Sequence, residues 1–354
     1  MSATQARREA RWQALAQRRG LPARALWPVS IVYGALMALR RRLYAAGWLT
    51  THRLPVPVIV VGNVVVGGAG KTPTVIALVQ HLQARGWHPG VVSRGHGGTH
   101  GRPTQVEADT PPALSGDEPA LIHRSTGAPV FVATRRADAA RALLDAYPQT
   151  NVLICDDGLQ HLALARDISI VVFDDRGTGN GWLLPAGLLR DRWPPLHGAL
   201  GSPDFVLHQH RDDRPPTAVT LPDGVPDFNA TRRLSDEVVG PRGERLAMQA
   251  LQGIPLTAVA GIARPTAFFD MLRARGLTLQ NAVTLPDHAE PAAYAALLAA
   301  RPPTLICTEK DAVKLFQNAA PPGSAMWSVP LKVDIEPAFF EAIEHRLTSL
   351  TTKN

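Results

Sequence analysis

The chain has 354 residues, of which 45% are hydrophobic and 19% are charged, and its formal net charge is +7. This length and composition indicate a globular protein of about two domains and exclude a disordered chain. Two cysteines cannot form a disulfide framework, and Cys155 and Cys307 both lie in apolar runs, so we expect buried thiols in a reducing compartment. Only five of the 37 basic residues are lysines, and this arginine-rich basicity is a poor argument for nucleic acid, which we do not expect as a partner.

The basic excess is confined to the N-terminal segment. Residues 1–53 carry ten arginines and one acid, for a charge of +9, whereas the rest of the chain carries −2. The first 24 residues are polar and arginine-rich, unlike a secretory signal. Residues 25–39 are uncharged, and as a helix these 15 residues would span about 22 Å, too short for a clean transmembrane helix. The flanking arginines, Tyr44 and Trp48 predict instead a helix that lies in an anionic membrane surface, and a helix buried against the domain is the alternative.

Short β-branched runs alternate with helical stretches after this segment. We expect strands near residues 56–61, 90–93, 130–133, 152–155 and 168–173, and helices near 74–85 and 136–147. Strands that are almost continuously apolar indicate a parallel sheet covered on both faces. The predicted fold class is therefore α/β, with a large parallel-sheet domain, a smaller C-terminal α/β domain and an N-terminal membrane-associated helix. The glycine-rich turn at residues 66–72 makes the large domain P-loop NTPase-like.

The pattern also suggests where the domains divide. A proline- and arginine-rich stretch with weak strand signals separates two runs of strands and helices. We predict a basic N-terminal segment over residues 1–53, a larger core domain over 54–212, a linker over 213–253, the smaller α/β domain over 254–340 and a tail over 341–354.

A glycine-rich turn between a buried strand and a helix is the sharpest local signal. Backbone N–H groups at Gly67, Gly68 and Gly70 can bind phosphate oxygens, Lys71 supplies a charge for the β- and γ-phosphates, and Thr72 can place its hydroxyl on Mg²⁺. The residues predicted to bind ATP are Val65, Val66, Gly67, Gly68, Ala69, Gly70, Lys71 and Thr72. Val65 stands where the strict motif G-x-x-x-x-G-K-[ST] has its first glycine, which predicts a different backbone path into the loop.

Two adjacent carboxylates supply the acidic partner that a phosphate loop needs. Asp156 and Asp157 end an apolar strand, where a carboxylate can reach Mg²⁺ bound beside the neighbouring loop. We predict both as metal ligands together with Thr72. Arg94 of Ser-Arg-Gly is a candidate for binding a phosphate group of the substrate, because a guanidinium matches phosphate oxygens.

Seven motifs stand along the chain in an order that resembles one known family. They are Val-Gly-Gly-Ala-Gly-Lys-Thr-Pro (66–73), Ser-Arg-Gly-His-Gly (93–97), Gly-Asp-Glu-Pro (116–119), Asp-Asp-Gly-Leu-Gln-His (156–161), Gly-Asn-Gly-Trp-Leu-Leu-Pro-Ala-Gly (179–187), Pro-Asp-His (286–288) and Thr-Glu-Lys-Asp-Ala-Val-Lys (308–314). In this order they resemble the tetraacyldisaccharide 4'-kinase (lipid A 4'-kinase) family, and the similarity extends from the N-terminal segment to about residue 335. That family also lacks the first glycine of the phosphate-loop motif.

The resemblance implies an activity and a location. It implies ATP- and Mg²⁺-dependent phosphorylation of the 4'-hydroxyl of a tetraacylated glucosamine disaccharide 1-phosphate, a step that forms the lipid A precursor lipid IVA. The implied location is the cytoplasmic face of the bacterial inner membrane. The family's catalytic Asp/His pair falls on Asp117 and His288, and a base near a sugar hydroxyl is chemically reasonable because that hydroxyl is a poor nucleophile at neutral pH. This pairing would put the active site between the two domains.

The sequence departs from the family's pattern at several positions. Asp191 stands where glutamate is usual, His96 where tyrosine is usual, and Gly-Ile-Ala-Arg-Pro (261–265) replaces Gly-Ile-Gly-Asn-Pro. A metal or positioning role for Asp191 therefore stays open, and the other two departures concern contacts to the acceptor rather than the reaction. We interpret the segment at 308–311 as structural or as part of the interdomain cleft, because Glu309 stands where a guanine-binding motif has lysine.

Two other functions compete with the kinase. A GTPase-type switch or metallochaperone could share the unusual phosphate loop, although the guanine motif is incomplete. A nucleotide-gated membrane adaptor would bind lipid and ATP without forming a phosphorylated product.

Overall fold

The computed structural model consists of two sheets covered by helices. It describes residues 12, 16–68, 70–95, 102–196, 202–211, 217–287 and 289–352. The larger sheet has nine strands and the smaller has six. The predicted α/β fold class with a large parallel sheet is confirmed.

The larger sheet and its helices come mainly from the first two thirds of the chain. Its elements, with the N-terminal helix, are α1 (Leu21–Ala45), β1 (Val58–Gly62), α2 (Lys71–Ala84), β2 (Pro89–Ser93), β3 (Thr104–Val106), α3 (Pro112–Ser115), α4 (Asp117–Thr126), β4 (Val130–Val132), α5 (Arg136–Ala146), β5 (Val152–Asp156), β6 (Ile168–Phe173), β7 (Phe205–Arg211) and β8 (Asp227–Leu234). The ninth strand of this sheet is Leu331–Ile335, near the C-terminal end of the chain.

The second sheet and its helices form a smaller unit. Its elements, with the strand and helix that follow it, are β9 (Glu237–Val239), β10 (Arg245–Ala247), a 3₁₀ turn (Met248–Leu251), β11 (Leu256–Ala260), α6 (Pro265–Ala274), β12 (Leu279–Thr284), α7 (Pro291–Ala299), β13 (Thr304–Thr308), α8 (Glu309–Leu315), β14 (Ala325–Val329), β15 (Leu331–Ile335) and α9 (Pro337–Thr351). Its strand order is β10-β9-β14-β13-β11-β12. Cys155 in β5 and Cys307 in β13 are buried, as predicted.

Strand order places the functional loops at one edge of the larger sheet. The order is β15-β8-β7-β6-β1-β5-β2-β4-β3, and all neighbours are parallel except the two edge strands β3 and β15. The central strands are buried on both faces, which explains their continuous apolar sequences. The carboxyl ends of parallel strands share an edge, so the loops after β1, β2, β5, β6 and β7 meet there.

The structure differs from the predicted linker and tail. Within residues 213–253, β8 joins the larger sheet, and β15 returns to pair antiparallel with it. In α9, Phe339, Ile343 and Leu347 are buried in the core of the larger unit. Strand β8 carries charged residues on a half-exposed surface. Its sequence is therefore not typical of a strand buried on both faces, and its strand signal was weak.

Helix α1 is longer than its apolar stretch. It has 25 residues, about 37 Å, because it continues through Arg40, Arg41 and Arg42, and by length and composition it could cross a membrane. The length predicted from the uncharged stretch alone was too short. One side of the helix contacts the body of the protein, where Ser30 donates to the Leu183 carbonyl at 2.9 Å.

The other side of α1 is exposed and apolar. Its large hydrophobic residues at helical spacing are Val29, Val32, Leu36 and Leu39, each more than half exposed, with Trp27 and Ile31 beside them. Only 11% of the most apolar 18-residue stretch of α1 is buried. The predicted alternative of a helix buried on the domain is therefore wrong for this face.

Candidate active site

Side chains from two directions hold the phosphate loop in place. Asn63 is fully buried and donates from Nδ2 to the Gly67 carbonyl at 3.1 Å. Arg176, which follows β6, donates from Nη1 to the Val66 carbonyl at 2.8 Å and from Nη2 to the Gly68 carbonyl at 3.2 Å. Because the carbonyls are bound by protein, the loop can direct N–H groups towards an anion.

Val65 explains why this loop needs no first glycine. The residue is fully buried and forms an antiparallel bridge with Leu189, and the N–H of Val66 donates to the Leu188 carbonyl at 2.9 Å. The chain therefore enters the loop in extended conformation against the 183–190 segment. Ala69, predicted to bind ATP, lies outside the described residues.

Gly70 closes the loop at the start of α2, where only glycine fits. Its φ is +80°, and a Cβ there would lie 1.7 Å from Oε1 of Gln209. Gln209 is buried and donates from Nε2 to the Gly70 carbonyl at 2.8 Å and to the Thr74 hydroxyl at 2.5 Å. The end of the loop and the first turn of α2 are thereby attached to β7.

We expect Gly70→Ala to reduce ATP affinity about tenfold or more, because the clash with Gln209 displaces the loop that holds the phosphates. Gly86→Ala is the matched control, since Gly86 also has a φ of +80° but no atom lies within 4 Å of the position that its Cβ would take. That control should cost only about 1–2 kcal/mol of stability. Titration with a fluorescent ATP analogue measures both variants, and equal affinities would contradict the expectation.

Lys71 and Asp157 form the charged centre of the site. Nζ of Lys71 lies 3.3 Å from Oδ1 of Asn63 and 3.6 Å from Oδ1 of Asp157. Asp157 has a φ of +49° and also pairs with Arg190 at 3.2 Å. Burial opposes the ionisation of Asp157, but Lys71, Arg190 and Arg136 outweigh it and lower its pKa. Both oxygens of this carboxylate therefore face cations of the protein.

Asp156 is the opposite case. It is 1% exposed, and neither carboxylate oxygen has a hydrogen-bond partner among the described residues. Burial, with the nearby charges of Glu118 and Asp157, raises the pKa of Asp156 to about 7. A buried carboxylate without a partner is costly unless a cation compensates it.

This orphaned carboxylate fits Mg²⁺. Thr72, which is almost buried at the start of α2, supplies the hydroxyl expected of a phosphate loop. No group of three or more His, Cys, Asp or Glu side chains that could hold a metal ion occurs in the described part of the chain. Mg²⁺ suits such a site, since it is usually held by one or two protein ligands, phosphates and water.

Three further predicted residues differ in how far the structure describes their position. Asp117 is 3% exposed at the first position of α4, and Nζ of Lys314 lies 2.9 Å from each of its carboxylate oxygens. The 308–311 segment, interpreted as structural or as part of the interdomain cleft, leads into and begins the helix that carries Lys314. His288, predicted to pair with Asp117, lies outside the described residues. Arg94 is exposed at the end of β2, on the edge that carries the phosphate loop.

Sequence reasoning missed several residues that build the site. Arg136, nearly buried at the start of α5, donates from Nη2 to the Asp157 carbonyl at 2.7 Å. Asp191, for which a metal or positioning role was left open, pairs with Arg41 of α1 at 2.9 Å and accepts from Gln160 at 3.1 Å. Gln160 lies in a quoted motif and Arg176 in none, and for neither does the sequence indicate the partner that the fold provides.

A polar cavity of about 450 Å³ lies beside Arg176, the residue that binds the carbonyls of the phosphate loop. Arg176 lines it from the core and Arg211 from the end of β7, while Arg264 and Asp270 line it from the smaller unit. Arg264 pairs across the boundary with Asp175 at 2.9 Å. The cavity thus lies where the two units meet, beside the loop that would hold phosphates.

This arrangement places the chain in the class of phosphate-loop nucleotide-binding proteins, with an acidic strand end beside the loop and a second unit facing it. The particular family follows from comparison with known proteins. The profile of the family Tetraacyldisaccharide-1-P 4'-kinase (LpxK) matches residues 22–348, and the chain belongs to this family.

Relatives and a solved structure agree with this assignment. A tetraacyldisaccharide 4'-kinase of Acidovorax sp. (strain JS42) is 52% identical over 340 residues, which are 95% of this chain and 94% of the relative. One from Xanthomonas euvesicatoria pv. vesicatoria is 47% identical over 94% of each chain. A crystal structure of LpxK from Aquifex aeolicus in complex with ATP superposes with a TM-score of 0.78 at 25% identity, covering 92% of this chain and 100% of that one. The family resemblance predicted from the seven motifs is confirmed.

Proposed function

We propose that this kinase transfers the γ-phosphate of ATP to the 4'-hydroxyl of a tetraacylated glucosamine disaccharide 1-phosphate, at the cytoplasmic face of the inner membrane. The observation that carries the proposal is the phosphate loop beside an orphaned, buried carboxylate, Asp156, in a chain of this family. The reaction forms a bond between the 4'-oxygen and the γ-phosphorus and breaks the bond from that phosphorus to the β,γ-bridging oxygen. ADP leaves, and the hydroxyl proton passes to a base.

Each site residue has a definable task in this reaction. Lys71 places its ammonium beside the β- and γ-phosphates, and Asp157 orients that ammonium from 3.6 Å. Asp117 accepts the proton of the sugar hydroxyl, with His288 as its predicted partner. Asp156 and Thr72 would hold Mg²⁺, which when bound neutralises charge on the transferred phosphoryl group. Since Asp157 already faces Lys71 and Arg190, we assign it to positioning them rather than to metal binding.

The remaining parts of the substrates fit the surroundings of the loop. The cavity beside Arg176 has room for the adenosine of ATP, and it opens where the loops after β6 and β7 converge. Nucleotides bind at such a crevice outside the carboxyl ends of parallel strands. Arg94 stands exposed on the same edge, where it would contact a phosphate group of the acceptor.

Helix α1 would bind the membrane with one face and contacts the active-site segment with the other. Its exposed apolar face suits lipid, and the +9 charge of residues 1–53 suits an anionic membrane surface and an acidic glycolipid. The opposite side of the helix touches the active-site segment, where Tyr33 donates to the Arg190 carbonyl at 2.8 Å and Arg41 pairs with Asp191. A lipid-bound acceptor would therefore meet the phosphate loop at the membrane surface.

We expect the double substitution Val32→Glu and Leu36→Glu to release the protein from anionic vesicles, because both residues lie on the exposed face of α1, at 59% and 56% exposure. Sedimentation with vesicles of phosphatidylglycerol measures this loss. Leu114→Glu is the control, since Leu114 is an exposed apolar residue outside α1. Undiminished sedimentation of the double variant would contradict the membrane role of this face.

The proposed activity is tested by incubating purified protein with ATP, Mg²⁺ and the lipid A disaccharide 1-phosphate and measuring the product by mass. A product heavier by one phosphoryl group supports the kinase. GTP hydrolysis without any acceptor would favour the GTPase or metallochaperone, and binding of lipid and ATP without a product would favour the membrane adaptor.

A further inference from the structure

An ion pair joins the two units of the protein at Asp117. Lys314, on α8 of the smaller unit, lies 197 residues further along the chain. Its Nζ is 2.9 Å from both Oδ1 and Oδ2 of Asp117, a symmetric contact that uses both carboxylate oxygens. Both side chains are almost buried, with 5% of Asp117 and 12% of Lys314 exposed. This is an enclosed ion pair of defined geometry, unlike a solvated surface pair.

The same ammonium also binds the segment that carries His288. Nζ of Lys314 donates to the Ala289 carbonyl at 2.9 Å. An ammonium has three donors, and Asp117 and Ala289 together supply three acceptor oxygens for them. One turn earlier on the same face of α8, Lys310 pairs with Asp287 at 2.7 Å. Two lysines of one helix therefore hold both sequence neighbours of His288, and one of them also holds Asp117.

We propose that Lys314 is a positioning residue for the proton-accepting carboxylate of Asp117. This inference rests on the proposed function, in which Asp117 receives the proton of the sugar hydroxyl. Lys314 fixes the orientation of the carboxylate and attaches it to the Ala289 carbonyl, so Asp117 and a sequence neighbour of His288 are held together when the two units are in contact. Its charge also keeps the carboxylate in the ionised form that can accept a proton.

Stability alone is a weak reason for this pair. Enclosing two charges costs desolvation energy, and apolar residues of similar volume often stabilise the folded protein equally well or better. A purely structural pair could therefore be replaced with little effect on the reaction. A pair that positions the base could not, because a small displacement of a reacting group costs rate even when substrates still bind.

Lys314→Met tests the proposal, with Lys314→Arg as the conservative variant. We expect Lys314→Met to lower kcat about 10- to 100-fold with the KM of both substrates nearly unchanged. The acid limb of the kcat/KM profile should move to higher pH, because the carboxylate loses its cation, and Lys314→Arg should keep the wild-type limb. Other charged or titratable groups near Asp117 are Glu118 on its own helix, Lys310 on α8 and Tyr294 on α7.

Several controls separate the possible outcomes. Arg245→Met removes an exposed ion pair of the smaller unit, with Glu237 at 3.1 Å, and should leave kcat and the pH profile unchanged. If Lys314→Met does not fold, Lys314→Gln carries the same test, since it keeps a donor without the charge. An unchanged kcat and acid limb overturn the proposal, whether or not the melting temperature falls.

A double variant distinguishes failure of this inference from failure of the proposed function. If Lys314 acts through Asp117, Asp117→Asn with Lys314→Met should be no slower than Asp117→Asn alone. A slow Asp117→Asn beside a fully active Lys314→Met would overturn the positioning role and leave the base intact. A fully active Asp117→Asn would remove the base itself, and the positioning role with it.

Discussion

Replacing Lys71 with methionine should lower the rate of phosphoryl transfer about 10³-fold or more, the scale expected when a charge that stabilises a transferring phosphoryl group is lost. Lys71 begins α2, is 8% exposed, and has its ammonium between Asn63 and Asp157. No other lysine among the described residues contacts this loop. Since kcat should fall far more than ATP affinity, single-turnover transfer from radiolabelled ATP to the lipid acceptor is the suitable measurement.

The fold should survive this substitution. Asp157 keeps Arg190 at 3.2 Å and the nearby guanidinium of Arg136, so its charge stays compensated. Lys332→Met, a change of the same kind on the exposed surface of β15, controls for the loss of a lysine. Transfer within a few-fold of wild type in Lys71→Met would show that Lys71 does not face the phosphates.

The parallel sheet and the phosphate loop were predictable because their signals are local. A strand buried on both faces is apolar throughout, and a loop that binds phosphate needs glycines, as β1 and Gly70 show. The strand end at Asp156 was predictable for the same reason. The surroundings of this carboxylate were not predictable. Neither oxygen of Asp156 has a hydrogen-bond partner among the described residues, and this depends on all the side chains packed around it.

The contacts that complete the site were not predictable, because they join distant parts of the chain. Arg176 reaches the Val66 carbonyl over 110 residues and Gln209 reaches Gly70 over 139. Nothing in the sequence near either residue indicates those partners. The resemblance to a family located Asp117 and included Lys314 in one of its motifs, yet it did not indicate that the fold places these two residues against each other.

The N-terminal helix shows a different limit of sequence reasoning. Its uncharged stretch indicated a membrane contact, but the three arginines that follow were not recognised as part of the same helix. Two of them have separate partners, since Arg40 donates to the Gln160 carbonyl at 2.9 Å and Arg41 pairs with Asp191. Gln160 in turn donates to the Asn63 carbonyl at 3.2 Å. A short series of contacts therefore connects helix α1 with Asn63, the residue that binds Lys71.

The second large effect concerns the base. Asp117→Asn should reduce kcat about 10²-fold or more, because an amide cannot take the proton of the sugar hydroxyl. The substitution keeps the shape of the side chain and an oxygen that accepts from Lys314, so the contact between the two units should persist. ATP binding should also persist, since Asp117 begins α4 whereas the phosphate loop leads into α2.

Comparison of several measurements makes this test specific to the base. The KM for ATP should stay close to that of the wild type while kcat falls, which indicates a group that acts in the transition state rather than in nucleotide binding. Asp334→Asn, a matched change at an exposed carboxylate on β15 that pairs with Arg233 of the neighbouring strand, controls for the loss of a charge. The base role requires that the rate of Asp117→Asn no longer rise with pH as the wild-type rate does across the acid limb. A variant that is slow but keeps the wild-type pH profile would assign the proton to another group and leave Asp117 the task of joining the two units.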